Sequence, residues 1–83
     1  MKAKKYTSFQ EFDFAPGSYV LIAEGEYPIL MTLPCGHNFR PDKRWTMRDL
    51  DDETKISLSP SIWCSPSVPC WHGYLTNGEF KRV

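Results

Sequence analysis

Prolines and glycines are the residues that most constrain how this chain can fold. Seven prolines and five glycines are spread over 83 residues, and both residue types interrupt helices. Long helices therefore have little room, and the sequence predicts short strands joined by turns. A single hydrophobic core of this length contributes only a few kcal/mol of net stability. We therefore expect an additional stabilising cross-link, or staple, and a bound metal ion is the natural candidate.

Two hairpins can be located from the residue pattern. The first joins two runs of strand-forming residues, at 18–24 and 27–33, through a Glu-Gly-Glu turn. The second joins residues 72–75 and 79–83 through Asn77-Gly78. Asn-Gly between two short apolar runs is the strongest local signal for a hairpin.

The rest of the chain gives weaker signals. Residues 55–59 alternate between polar and apolar side chains, as a half-buried strand does. Pro60 is predicted to end that strand, and residues 61–69 contain too many prolines and serines for regular structure. The sequence thus predicts a mostly β, small single domain of four to six short antiparallel strands and hairpins over residues 18–83, stapled by a zinc site. Residues 1–17 are expected to form an irregular lead-in.

Charge and hydropathy argue against several classes of function. Ten basic and ten acidic side chains cancel, so the chain lacks the basic excess of a general nucleic-acid-binding protein. The longest apolar stretches, 19–23 and 29–33, are far shorter than the roughly 20 residues that span a bilayer. The basic start is not followed by the apolar segment of a signal peptide. We therefore expect a cytoplasmic protein without a membrane partner.

All cysteines and histidines of the chain fall in two clusters. Cys35 and His37 flank a glycine, and Cys64, Cys70 and His72 follow about thirty residues later. Tetrahedral zinc takes four such ligands, usually as two close pairs from two turns; alternatively, the cysteines are simply small buried apolar residues. Two ligand sets compete: Cys35, His37, Cys64 and Cys70, or Cys35, His37, Cys70 and His72. We favour the first, because three thiolates hold zinc well and Cys64 has no other evident role.

Motifs spread over residues 18–83 resemble those of a known family. They are LPCGH at 33–37, Trp45, SLSPSI at 57–62, PCWHG at 69–73 and NG at 77–78. In this combination the chain resembles the BubE-type small zinc-binding domain of bacterial ubiquitin-like operons and phages. The resemblance implies zinc on the two cysteine and histidine clusters. It also implies a serine-peptidase activity against the tail of a ubiquitin-like protein.

Carried over residue by residue, the resemblance assigns Ser61 as the nucleophile and His72 as the base. A serine hydroxyl becomes nucleophilic when an adjacent base takes its proton, and the base needs an orienting partner. Candidates for that third member are Glu24, Glu26 and Asp42. The sequence departs from larger family members in two places. Leu33 stands where they have a cysteine, and one residue instead of two separates Cys70 from His72.

Two functions are consistent with these observations. The first is a zinc-binding serine hydrolase that cleaves a peptide or ester bond. The alternative is a non-catalytic, zinc-stabilised protein-binding module with Trp63, Trp71 and Tyr74 as its recognition surface. A protein or peptide is the expected partner in both cases. A catalytic zinc ion is less favoured, since it needs an open coordination position and a nearby acid or base.

Overall fold

The computed structural model describes residues 1–22, 28–64 and 71–83. Over these residues the regular structure is β, apart from one 3-10 turn at Phe9–Glu11. The strands form two four-stranded sheets, which confirms the predicted mostly β fold. Within the same ranges no helix is long and apolar enough to cross a membrane.

The first sheet contains the two strands of the predicted first hairpin. Its strands, in order across the sheet, are β1 (Lys4–Tyr6), β2 (Ser18–Leu21), β3 (Ile29–Thr32) and β4 (Asn38–Phe39). Strands β2 and β3 pair antiparallel, with Val20 opposite Leu30. The predicted Glu-Gly-Glu turn between them, at 24–26, lies outside the described residues.

The expected irregular lead-in contains strand β1, which pairs in parallel with β2. Its sequence, Lys-Lys-Tyr, has no apolar alternation that would indicate a strand. The Lys4 amide donates a 3.0 Å hydrogen bond to the Gly17 carbonyl, and this pairing adds β1 to the edge of the first sheet. Lys2 then forms a bridge to Glu79 in the second sheet. Pairing with distant residues, rather than a local pattern, therefore orders this segment.

The second sheet is formed from consecutive antiparallel strands. They are β5 (Thr46–Arg48), β6 (Ser57–Trp63), β7 (His72–Thr76) and β8 (Glu79–Arg82). The turn between β7 and β8 has φ values of 48° at Asn77 and 73° at Gly78. Two positive φ angles are what a two-residue type I′ turn requires, so the second hairpin is confirmed. The described residues hold eight strands, of which seven lie within residues 18–83, where four to six were predicted.

Strand β6 continues through Pro60, so the prediction that this proline ends the strand is wrong. The register between β6 and β7 shifts between Leu58 and Ile62, where three residues of β6 oppose one of β7. Such a bulge accommodates a proline, which has no N–H to donate to the ladder. Strand β6 then continues to Trp63, with Ile62 and Trp63 again paired to β7, although irregular structure was expected for residues 61–69.

One hydrophobic core is shared by both sheets. Its central members are at most 2% exposed: Tyr19, Ile29, Met31, Leu58, Ile62 and Leu75. Because successive side chains of a strand point to opposite faces, the residues next to Ile62 and Leu75 point away from the core. We call this side, carrying Ser61, Trp63, His72 and Tyr74, the outer face of the second sheet.

Candidate active site and metal centre

Ser61 and His72 form a hydrogen-bonded pair on the outer face of the second sheet. The distance between Ser61 Oγ and His72 Nε2 is 3.0 Å. His72 begins β7 directly opposite Trp63, and Ser61 precedes Trp63 by two positions on β6. Side chains two positions apart lie on the same face of a strand, so Ser61 is diagonal to His72. The structure thus brings these two residues, named from the sequence, into direct contact.

This contact has the geometry of a base acting on a serine nucleophile. When Nε2 is unprotonated, it accepts the hydrogen of the Ser61 hydroxyl. Both side chains are partly exposed, so a substrate can reach the Ser61 oxygen. The arrangement can therefore activate the hydroxyl for attack on an acyl carbon.

No carboxylate among the described residues is hydrogen-bonded to the His72 ring. Of the three candidates for a third catalytic member, Glu24 and Glu26 lie outside the described residues. The third, Asp42, accepts hydrogen bonds from Arg44 Nε at 3.0 and 3.1 Å and pairs with Arg44 Nη2 at 2.9 Å. These bonds lower the pKa of Asp42 and keep it a carboxylate. Asp42 is therefore paired with Arg44, whereas the His72 ring is hydrogen-bonded to Ser61.

An aromatic cleft opens beside Ser61. It is lined by Phe39, Arg44, Trp45, Pro60, Ser61, Trp63 and Cys64 and has a volume of about 510 Å³. The rings of Phe39 and Trp45 meet edge to face with 5.0 Å between their centroids. Trp45 Nε1 donates a 3.3 Å hydrogen bond to the Ser61 carbonyl oxygen. The cleft is large enough for a short peptide segment, since ligand pockets typically enclose about 300–1,000 Å³.

Sequence reasoning did not identify the side chains opposite Ser61 in this cleft. From the sequence, Trp45 is notable only as part of the family resemblance, and Arg44 belongs to no motif. Trp45 precedes Ser61 by 16 residues, and the pairing of β5 with β6 brings the two together. The Arg44 guanidinium lies 5.0 Å from the Trp45 ring centroid, and both side chains line the cleft. No local motif signals this proximity.

Cys35, His37 and Cys64 form a second group, called the Cys/His cluster below. Their potential ligand atoms all lie within 4.8 Å of one another. Cys35 Sγ and His37 Nδ1 are 3.3 Å apart. In a tetrahedral zinc site, with bonds of about 2.0–2.3 Å, the ligand atoms are roughly 3.3–3.8 Å apart. The three side chains are therefore close enough to bind one metal ion.

A tight turn after β3 positions the first two members of the Cys/His cluster. The Gly36 amide donates to the Leu33 carbonyl, and the Leu33 amide donates to the His37 carbonyl, both at 2.8 Å. Gly36 has a φ of 93°, a conformation that residues with a Cβ rarely adopt. The glycine between Cys35 and His37 thus lets the chain reverse direction and directs both side chains to one point.

Cys64 connects the Cys/His cluster to the Ser61–His72 pair. It directly follows β6, and its amide donates a 3.1 Å hydrogen bond to the Trp71 carbonyl. The Trp71 amide in turn donates to Cys64 Sγ at 3.2 Å; amide donors to sulfur are contacts that support a metal-bound thiolate. Because Trp71 immediately precedes His72, a metal ion bound to Cys64 would hold the ends of β6 and β7 together.

The structure brings together three members of the first ligand set, whereas His72 of the second set lies apart from them. Cys35, His37 and Cys64 of the first set lie together, and its fourth member, Cys70, lies outside the described residues. His72 belongs only to the second set. It is not a member of the Cys/His cluster, and its Nε2 atom contacts Ser61 Oγ instead.

The three aromatic residues suggested as a recognition surface do not share one environment. Trp63 and Tyr74 are 42% and 48% exposed on the outer face. Trp71 is only 5% exposed, and its ring meets that of Phe80 edge to face at 5.9 Å. Trp71 is therefore a core residue and cannot contact a partner directly.

Comparison with known proteins places these residues in a family. No curated protein and no solved structure shows significant similarity to the chain. The family model of the bacterial ubiquitination-like system serine protease (BubE) matches residues 7–83. The matched region includes the Ser61–His72 pair, the Cys/His cluster and most of the expected lead-in. The chain belongs to the BubE family of bacterial ubiquitination-like system serine proteases.

Proposed function

We propose that this protein is a serine peptidase in which Ser61 is the nucleophile and His72 is the general base. The observation that carries this proposal is the 3.0 Å contact between Ser61 Oγ and His72 Nε2 on an accessible sheet face. Membership of a serine protease family supports the same chemistry. The cleft beside Ser61 supplies a surface on which a peptide can lie.

The reaction proceeds in two acyl-transfer steps. Ser61 Oγ attacks the substrate carbonyl carbon while its proton passes to His72 Nε2. When the tetrahedral intermediate collapses, the bond to the leaving group breaks and His72 donates the proton to that group. The acyl ester on Ser61 is then attacked by water, which gives its proton to His72. Collapse of the second intermediate releases the carboxylic acid and returns the proton to Ser61 Oγ.

The metal ion has a structural role in this proposal. Cys35, His37, Cys64 and Cys70 would bind zinc, because two or more thiolates with imidazole are typical zinc donors. A bound ion would stabilise the fold by linking Cys35 and His37 in the turn after β3 to Cys64 at the end of β6. The reacting proton moves between Ser61 and His72, and no step needs the metal.

The substrate proposed is the tail of a ubiquitin-like protein. The family description names a bacterial ubiquitination-like system, and an extended tail can reach a nucleophile that lies on an open sheet face. The cytoplasm is the proposed location, because a reducing compartment keeps thiols available as metal ligands. A protein substrate also agrees with the zero net charge of the chain, because a general nucleic-acid-binding protein would carry a basic excess.

A non-catalytic, zinc-stabilised protein-binding module is the second candidate. The exposure of Trp63 and Tyr74 on the same outer face favours it, because exposed aromatic side chains are frequent anchors at protein interfaces. In that case the Ser61–His72 hydrogen bond is a surface contact without chemical consequence.

Labelling with a fluorophosphonate probe distinguishes these two functions. The wild type should form one covalent adduct per chain, and Ser61→Ala should form none. His72→Ala should react at least about a hundredfold more slowly, as expected on loss of a general base. Ser59→Ala is the matched control, because Ser59 is exposed two positions earlier on the same strand and should label like the wild type. A wild type that labels no faster than Ser61→Ala would leave the binding module as the function.

Metal content of the same variants tests the ligand assignment. Zinc should be retained by His72→Ala and lost by Cys64→Ser. Loss of zinc from His72→Ala would make His72 a ligand and would remove it as the general base. Full retention of zinc by Cys64→Ser would contradict the first ligand set.

A further inference from the structure

The His72 ring needs a partner that holds its orientation. In a catalytic triad a carboxylate binds the second ring nitrogen and keeps the imidazole aimed at the serine. Over residues 1–22, 28–64 and 71–83, no carboxylate forms that bond to His72. The torsion that rotates a histidine ring is only broadly restricted by itself. Without another contact, the ring would spend part of its time turned away from Ser61.

Trp63 makes an aromatic contact that can hold the orientation of the His72 ring. Its indole ring packs against the His72 imidazole with 4.4 Å between the centroids and 46° between the planes. The two residues are direct cross-strand partners, so their Cα positions are fixed by the ladder between β6 and β7. Trp63 also lies two positions from Ser61 on the same face of β6. The nucleophile, the base and the indole are therefore adjacent on the outer face.

We propose that Trp63 is a positioning residue that holds the His72 ring toward Ser61 through aromatic contact. This inference rests on the proposed function, because it concerns how the base of that reaction is oriented. The indole makes no bond to substrate atoms in this role. The indole increases the fraction of time for which His72 Nε2 faces the Ser61 hydroxyl.

The size of the expected effect follows from the strength of aromatic pairs. Such a pair accounts for about a two- to tenfold change in a local equilibrium. Removing the indole should therefore slow proton transfer from Ser61 by about that factor. A phenylalanine at the same position keeps most of the ring contact and should restore most of the rate.

Trp63 also forms part of the aromatic cleft, and this role must be separated from positioning. A cleft wall contributes to the binding of a substrate, whereas a positioning residue contributes to the step after binding. Diisopropyl fluorophosphate is suited to the separation, because it is small and reacts with Ser61 without filling a peptide cleft. Its reaction forms a bond from Ser61 Oγ to phosphorus, expels fluoride and transfers the serine proton to His72.

The experiment measures the maximal inactivation rate and the half-saturating probe concentration in zinc-loaded protein. Trp63→Leu should lower the maximal rate about two- to tenfold and leave the half-saturating concentration within about twofold. Trp63→Phe should recover most of the rate. Phe9→Leu is the control, since Phe9 is an exposed aromatic residue on a distant segment and should change neither constant. Zinc content of each variant is measured alongside.

Different outcomes overturn different conclusions. An unchanged maximal rate in Trp63→Leu, a change confined to the half-saturating concentration, or a Trp63→Phe rate as low as that of Trp63→Leu would overturn the Trp63 inference. A wild type that reacts no faster than Ser61→Ala would instead overturn the proposed function.

An NMR measurement on the wild type keeps the inference testable even where Trp63→Leu fails to fold or to bind zinc. Nuclear Overhauser effects should connect the indole protons of Trp63 with the ring protons of His72. The His72 ring protons should also be shifted by the indole ring current. Absence of these effects in the folded wild type would overturn the inference, whatever the variants do.

Discussion

Ser61 and Ile62 are neighbours on β6, and the structure predicts opposite consequences when each is truncated to alanine. Ile62 has no exposed surface and belongs to the shared core. Ser61 lies on the outer face and contacts His72. Ile62→Ala should therefore damage the fold, whereas Ser61→Ala should remove the nucleophile and leave the fold intact.

The expected magnitudes follow from the burial of each side chain. Ile62→Ala removes three buried carbon atoms, which corresponds to about 2.4 kcal/mol of transfer free energy at about 0.8 kcal/mol per carbon. The cavity left behind raises the range to about 2–5 kcal/mol. A domain of this size has a total stability of about 4–12 kcal/mol, so the loss is a large share. Ser61→Ala removes one partly exposed hydrogen bond and should cost less than about 1 kcal/mol.

Urea unfolding with zinc in excess, followed by circular dichroism, measures both variants. Ile62→Val is a graded control and should lose only about 0.5–1.5 kcal/mol. An Ile62→Ala variant that loses no more stability than Ser61→Ala would refute the reasoning. A register displaced by one residue would exchange the two faces of the strand. Ser61 would then point into the protein and away from His72.

Three further predictions concern the strands, a buried phenol and the metal. A Cβ at Gly73 would collide with the Lys81 carbonyl oxygen and the Trp71 ring, so Gly73→Ala should lower the free energy of unfolding by about 1–3 kcal/mol; an unchanged thermal midpoint would contradict this. Burial raises the pKa of Tyr19 well above its unfolded value of about 10. The resulting stabilisation is complete below pH 10 and is lost as the pH rises above it, so unfolding measured from pH 8 to 12 should show a decline that is weaker in Tyr19→Phe. Chelation should lower the thermal midpoint of the zinc-loaded wild type but not that of Cys64→Ser, and a wild type insensitive to chelation would argue against the metal site.

Features that depend on near neighbours in the chain were predictable from the sequence. The turn at Asn77-Gly78 requires two residues that tolerate positive φ, and the sequence provides them in order. Gly36 similarly allows the reversal that brings Cys35 and His37 together. These conformations are fixed by the residues of the turn itself, so a local pattern is sufficient to recognise them.

The candidate site was predictable only in part. Family motifs, rather than periodicity, pointed to Ser61 and His72 as nucleophile and base. The Cys/His cluster followed from the restriction of these residue types to two segments of the chain. Its third described member, Cys64, could be ranked against His72 only by chemical preference, because spacing allows either residue to approach the first pair.

The amino-acid sequence by itself therefore determined the β character of the chain, its tight turns and the residue types available for chemistry. Tertiary structure decided which of those residues meet. Strand β6 passes through Pro60 because a bulge against β7 accommodates the proline, and this register directs Ser61 toward His72. Trp63 reaches the imidazole, whereas Trp71 enters the core, because inward and outward positions are set by pairing across the sheet. Such pairings join residues far apart in the chain and depend on the whole core, so no short stretch of sequence encodes them.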